Sequence, residues 1–465
     1  MSQQHAPRPA PGPAPSSGSS GRSLFAIRDY RHLFTAQVVA LFGTGMATVA
    51  LGLLAYDLAG PRAAAVLGTA LTIKMVAYVL IAPLATAYVD RMPRRLMLVM
   101  LDLLRASVVL ALPWVDQVWQ IYVLIAVLQS ASAAFTPTFQ AVIPDIVPDE
   151  AQYTRALSAS QLASTMESLL SPVLAAAALA VVSFHWLFGF TVIGFLLSAG
   201  LVVSTSIPDA VRSARGGVFD RTFAGARIFA ATPRLRGVLG LDLAVAGAGA
   251  IVMVSTVNVV RDRLGGSQAG VAWLLAASGI GTMVVALTLP RLLDRVPERP
   301  VMLAGGGLLV VAAAAAVVMV TVPGALVWPV ALVVWSVIGV GMSLVLTPVG
   351  QVLRRSSAPA DRAAVFAAQF SLSHLCWLIT YPIAGWLGTA AGFGPAFALL
   401  GGLSLLGLLV AVRVWPRRDP TEIEHQHDVA DTDPEHLTDA VAVGDGTYRH
   451  RHRFVIDSEH FRWPA

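Results

Sequence analysis

Three titratable side chains stand where the surrounding sequence is almost wholly apolar. Lys74 lies in LTIKMVAYVL, Glu167 in STMESLLSPV and His374 in SLSHLCWL. Lys74 is the single lysine among 32 Lys+Arg residues; every other basic residue is an arginine. An ammonium at the centre of a membrane helix costs about 2.5–3.5 kcal/mol on insertion scales, so it must face water or an acid. A carboxylate at similar depth can hold a cation and a proton in turn. Each group therefore reads as a candidate for substrate binding or proton coupling at a water-filled cavity. A purely structural reading stands beside this one: a buried Lys74–Glu167 pair that fixes packing, and a His374 hydrogen bond between helices.

The elements that position these groups follow from composition. The chain has 465 residues, 56% hydrophobic and only 13% charged, with a mean hydropathy of +0.70. A soluble chain carries about 25% charge, so this one cannot hide its apolar surface in a water-soluble core. Runs of about 20 apolar residues cross a bilayer as helices. Twelve such spans are read: 33–56, 64–88, 95–114, 119–141, 154–180 and 184–206, then 236–259, 266–290, 300–321, 325–348, 363–387 and 390–413. The chain divides into a disordered N-terminal tail (1–32), a six-helix bundle (33–206), a central loop (207–235), a second six-helix bundle (236–414) and a C-terminal tail (415–465). The first 24 residues, rich in Pro, Ser and Gly, do not form a signal peptide.

Arginines collect in alternate loops: Arg91, Arg94 and Arg95; Arg212, Arg215, Arg221, Arg227 and Arg234; Arg291, Arg295 and Arg299; Arg354, Arg355 and Arg362. The opposite loops hold only Arg62, Arg261 and Arg263. The positive-inside rule puts the arginine-rich side and both termini in the cytoplasm of a multi-pass inner-membrane protein. The pI near 9.7 is thus an orientation signal, not a sign of nucleic-acid binding. One cysteine, Cys376, excludes an internal disulfide and a cysteine metal cluster.

The two halves echo each other. VDRMPRR (Val89–Arg95) and LDRVPERP (Leu293–Pro300) share Asp-Arg-x-Pro-x-Arg; FTPTFQ (Phe135–Gln140) and LTPVGQ (Leu346–Gln351) share Thr-Pro-x-x-Gln. A duplicated six-helix unit is a common construction of secondary transporters, with a site near the midplane between repeats.

At these residues the chain resembles the major facilitator superfamily. TAYVDRMPRR is similar to that family's signature between helices two and three, with Thr86 and Pro93 standing where it has glycine. DLLRA (Asp102–Ala106) and PDIVPDE (Pro144–Glu150) are similar to the enterobactin- and drug-exporter branch. The family's antiporter motif in helix five survives here only as Pro172 within ESLLSPVLAA (Glu167–Ala176). The resemblance implies an all-α membrane protein of twelve transmembrane helices in two pseudo-symmetric six-helix bundles. It implies a monomeric secondary transporter that exports a small molecule, siderophore or drug-like, by alternating access in antiport with protons. It also implies a latch at the cytoplasmic helix ends, built from Asp90, Arg91, Arg94 and Arg95 with Asp294 and Arg295 in the second half. Asp102 and Arg105, at i and i+3 on one helix face, pair with each other or join that latch. No cofactor is expected: the energy source is the proton gradient, since the only lysine lies within a span and no Walker A motif exists. No HExxH or GxSxG motif suggests an enzyme. A non-transporting sensor on the same scaffold is the remaining alternative.

The tail holds six of the ten histidines: His425, His427, His436, His450, His452 and His460. Imidazole suits nickel or zinc, and the pattern resembles the histidine-rich tails of nickel-resistance exporters in this superfamily. The second reading is therefore a divalent-metal (nickel or cobalt) efflux transporter with a metal-sensing tail. Against it, Arg449, Arg451 and Arg453 interleave with the histidines, and a solvated tail without a metal explains the composition as well.

Overall fold

The computed structural model describes residues 24–88, 93–147, 150–207, 218–321, 326–358, 361–419, 422–428, 441–444, 447–456, 460 and 463. The N-terminal tail before residue 24 lies outside the described residues, as do Asp90 and Arg91. The helices are α1 (Arg28–Ala59), α2 (Ala63–Tyr88), α3 (Arg94–Ala111), α4 (Val118–Ile146), α5 (Glu150–Leu179), α6 (His185–Val203), α7 (Val218–Ala231), α8 (Pro233–Asn258), α9 (Gln268–Leu293), α10 (Glu298–Thr321), α11 (Val327–Leu346), α12 (Val349–Arg355), α13 (Arg362–Pro382), α14 (Gly388–Ala391) and α15 (Phe393–Val414). Among the described residues, ten stretches are long and apolar enough to cross a membrane; the first, Arg28–Ile81, carries most of both α1 and α2.

The duplication is visible in the packing. In the first half α1 packs on α6, α2 on α4, and α3 on both α4 and α6. In the second half α8 packs on α15, α9 on α11, and α10 on both α11 and α15. The same helices are paired in each unit, as a repeated six-helix bundle requires. The bundles meet through α2 against α13 and α5 against α9, which are again equivalent pairs. A Cβ added at Gly68 of α2 would lie 2.9 Å from the Cα of Gly385. Only glycine lets the two backbones approach that closely.

Two stretches differ from the sequence reading. The connection between halves holds the helix α7, which packs on α13 rather than forming an extended loop. The C-terminal tail holds a three-stranded antiparallel sheet, β1 (Glu422–Asp428), β2 (Val441–Gly444) and β3 (Thr447–Arg453), in the order β1-β3-β2. After β3 the chain docks on the second bundle. Phe454 and Ile456 are buried in the main core. The Arg234 guanidinium at the start of α8 lies 4.7 Å from the Trp463 ring and 3.7 Å from the Asp419 carboxylate. Asp419 also accepts from Arg355 at 2.6 Å and from Trp415 at 3.1 Å. The consecutive Phe454, Val455 and Ile456, all buried, supply the burial that a solvated tail lacks.

Candidate functional site

Between the bundles lies a chamber of about 280 Å³ walled by α1, α2, α3, α4, α5, α8, α11, α12 and α13. Lys74, Glu167 and His374 all line it. α2 brings Lys74 into the chamber, with Nζ 5.9 Å from the Tyr78 ring. α5 brings Glu167, whose Oε1 accepts from the Ser171 hydroxyl at 3.4 Å. Gly45 of α1 makes room for that carboxylate: a Cβ there would lie 2.6 Å from Glu167 Oε1 and would overlap the Ser171 hydroxyl. Lys74 and Glu167 interact electrostatically, but no ion pair joins them among the described residues. The packing pair allowed by the sequence is therefore not a direct contact here. His374 Nδ1 lies 2.6 Å from the Phe370 carbonyl oxygen. A carbonyl cannot donate, so Nδ1 bears the hydrogen and the Nε2 of a neutral ring keeps its lone pair.

The sequence reading missed Asp242. It sits on α8, which starts at Pro233, about 14 Å along the helix at 1.5 Å per residue. It lines the chamber and is 3% exposed. Gln369 Nε2 donates to its Oδ2 at 2.8 Å, while Asp242 Oδ1 and Gln369 Oε1 have no partner among the described residues. The signal was present in GVLGLDLAVAG: an acid within an apolar run calls for the same question as Lys74. Gln37 also lines the chamber. Asn258 does not; it helps to tie the bundles together at the far face.

Asp102 and Arg105 are paired and buried. Ser198 of α6 donates to the other Asp102 oxygen at 2.7 Å. The Arg105 guanidinium lies between the Phe135 and Phe195 rings, at 4.1 and 4.5 Å. The charge is thus neutralised, hydrogen-bonded and sandwiched by π faces, which is how a guanidinium survives burial.

The loop motif makes contacts within its own half. Arg95 donates to the Val203 carbonyl at the end of α6. Arg299, its counterpart, donates to the Trp415 carbonyl at 3.0 Å and the Val412 carbonyl at 3.4 Å, at the end of α15. In each bundle the last arginine of the motif meets the free carbonyls of the sixth helix, where a cation is favoured. Asp294 and Arg295 are exposed. Arg94 is half-buried. Asp90 and Arg91, the other residues of the expected latch, lie outside the described residues.

The face opposite the termini is where the bundles are tied. Tyr56 at the end of α1 donates to Asp262 Oδ1 at 2.5 Å. Asn258 Nδ2 donates to Asp262 Oδ2 at 2.7 Å and to the Pro61 carbonyl at 3.1 Å. Trp386 donates to Thr69 at 2.9 Å. Asp262 and Trp386 lie in π-helical segments, Val259–Arg263 and Ile383–Leu387, that continue α8 and α13. Such segments often mark functional sites.

The strand register sorts the tail. His425 is opposite His450 and Ile423 opposite His452, so positions 425, 427, 450 and 452 share one face of the sheet. The side chains of those four lie outside the described residues, as does His436 entirely. The interleaved arginines belong to the other face, where Arg449 pairs with Glu424 and Arg451 with Glu422, each at 3.5 Å. His460 is separate from the sheet, buried against Phe454 with ring centroids 4.6 Å apart. Among the described residues no three His, Cys, Asp or Glu side chains cluster to hold a metal.

Two equivalent helical bundles around a central chamber, tied at one face, have the build of a secondary membrane transporter. The family model described as Major Facilitator Superfamily matches residues 33–259 and 238–455, and the chain belongs to that family. It is 23% identical over 413 residues to the uncharacterized MFS-type transporter YfiS of Bacillus subtilis (strain 168), covering 84% of this chain and 92% of that protein. Its fold is similar to the crystal structure of the nucleoside transporter NupG (TM-score 0.59, 13% identity, 84% of this chain, 100% of that one). It is also similar to a bacterial homolog of the human lysosomal transporter Spinster in an inward-facing, unoccupied conformation (TM-score 0.60, 14% identity, 84% and 99%). A third similar structure is the human organic anion transporter MFSD10 (TM-score 0.57, 14% identity, 83% and 99%). The chain is a multi-pass membrane transport protein, not an enzyme.

Proposed function

We propose that this transporter is a proton-coupled exporter of a small organic molecule, working by rocking its two bundles about the central chamber. The observation that carries the reading is the joint presence of Lys74, Glu167 and His374 around one chamber between bundles. A carboxylate beside a cation can exchange a proton for a substrate as access alternates. The arginine bias of the loops supports cytoplasmic termini. With that orientation, the Tyr56–Asp262 tie closes the outer face and the chamber belongs to an inward-facing state. Proton drive is tested in inside-out vesicles from a host sensitive to dyes and drugs. Wild-type protein should concentrate a substrate found by a resistance screen when the vesicle interior is acid. Glu167→Gln and Lys74→Met should abolish that response; pH-driven uptake retained in both rejects the coupling role.

A metal-efflux reading draws on one observation, the register that gathers positions 425, 427, 450 and 452 on one face. Nickel titration of the purified full chain tests it. Saturable binding lost on His425→Ala with His450→Ala supports it, and binding unchanged by that pair rejects it.

A further inference from the structure

The charges lining the chamber do not balance, and the imbalance falls at Asp242. Arg105 is neutralised by Asp102. Lys74 has Glu167 as its electrostatic counterpart. Asp242 has no cation: its one hydrogen-bond partner among the described residues is the neutral Gln369 amide. That amide leaves two acceptors without donors, Asp242 Oδ1 and Gln369 Oε1, on side chains only 3% and 6% exposed. A buried acceptor without a donor bears its full desolvation penalty, so the pair suits a ligand that donates.

The walls say what kind of donor. Tyr78, Phe370, Trp377 and Tyr381 line the same chamber, and aromatic faces attract desolvated cations. A divalent metal would want three or more clustered ligands, and the described residues offer none. The volume of about 280 Å³ lies just below the range of about 300–1,000 Å³ usual for small-molecule pockets, so the ligand must be compact. Lys74 lines the same chamber and disfavours a second positive charge on the same ligand.

We propose that Asp242 and Gln369 are the binding point for the ammonium of a compact lipophilic amine, its N–H groups donating to Asp242 Oδ1 and Gln369 Oε1 and its apolar body lying against the aromatic wall. This names a substrate class for the transporter reading above and rests on it. It also reverses the inference that Lys74 alone suggests, a preference for anions, because Asp242 supplies a second acid to the chamber.

The test is equilibrium calorimetry on the purified full chain in detergent, with phenylbutylammonium, its trimethylammonium analogue and phenylbutanol as probes. The first has charge and N–H donors, the second charge alone, the third a donor alone. The primary ammonium should saturate with a Kd at or below about 1 mM, and both analogues should bind at least tenfold more weakly. Asp242→Asn should weaken the ammonium at least tenfold. Gln369→Leu, which keeps the carboxylate, should weaken it several-fold and serves if Asp242→Asn fails to fold. Absence of saturable binding by wild type, equal affinity for an analogue, or wild-type affinity in both variants overturns the proposal. Binding at equilibrium needs no transport cycle, so a failure of proton-driven export would leave this result standing, and the reverse.

Discussion

Removing the Tyr56 hydroxyl should open the tied face by a calculable amount. The Tyr56–Asp262 hydrogen bond is short, 2.5 Å, and its acceptor is a carboxylate, which in a dry site would be worth about 1.5–3 kcal/mol. The corner is solvent-exposed, and exposed charge contacts contribute about 0–1 kcal/mol. We therefore assign about 1 kcal/mol to Tyr56→Phe, a shift of about fivefold in the closed-to-open ratio. Asp262→Ala removes the same tie; the Asn258 Nδ2 bond lost with it lies within the second bundle. Its effect on the closed-to-open ratio should therefore also be about fivefold. The assay is the rate at which a membrane-impermeant thiol reagent, added on the face opposite the termini, labels Thr48→Cys in reconstituted protein. Thr48 lines the chamber, and Cys376, the single native cysteine, is replaced by serine. Labelling should rise about fivefold in each variant. Equal rates in wild type and both variants would show that this corner does not hold the face shut.

Other perturbations follow from the packing. Asp102→Asn strips the counter-charge from a buried guanidinium and should cost about 3–5 kcal/mol, read as a fall in the thermal unfolding midpoint in detergent. Replacing both Asp102 and Arg105 with apolar residues should restore most of that loss. Gly45→Val should displace Glu167 and Ser171 and abolish transport while membrane insertion, followed by expression of a fluorescent fusion, stays normal. Asp419→Ala frees Arg355 and Arg234 from their shared carboxylate; it should lower the unfolding midpoint and speed proteolysis after residue 419, and unchanged proteolysis would show that the tail docks without it.

The sequence carried the architecture because membrane physics writes it in large letters. Length and polarity mark each span, and arginine spacing marks each repeat. Lys74, Glu167 and His374 were legible for the same reason: charge inside apolar runs is costly and hence purposeful. Asp242 obeys the same rule, yet α8 begins at Pro233, three residues before the span read from hydropathy, so the acid looked closer to the interface than it is. The tail resisted reading for a different reason. Its composition is polar enough to be solvated; alternation in RHRHR parts histidines from arginines once it is a strand, but only register places positions 425 and 427 on the face of 450 and 452. No periodicity in one strand reveals which strand it will pair with. The Tyr56–Asp262 tie was invisible because its partners are 206 positions apart and meet only when two bundles dock.

Alternating access requires two bundles that exchange the closed face. Spin labels at Arg62→Cys and Gly265→Cys, one on each bundle at the tied face, report this by pulsed dipolar spectroscopy in lipid nanodiscs. Wild type should give a short distance and a second, longer population that grows in Asp262→Ala. A single distance, identical in wild type and variant, would contradict the rocking of one bundle against the other.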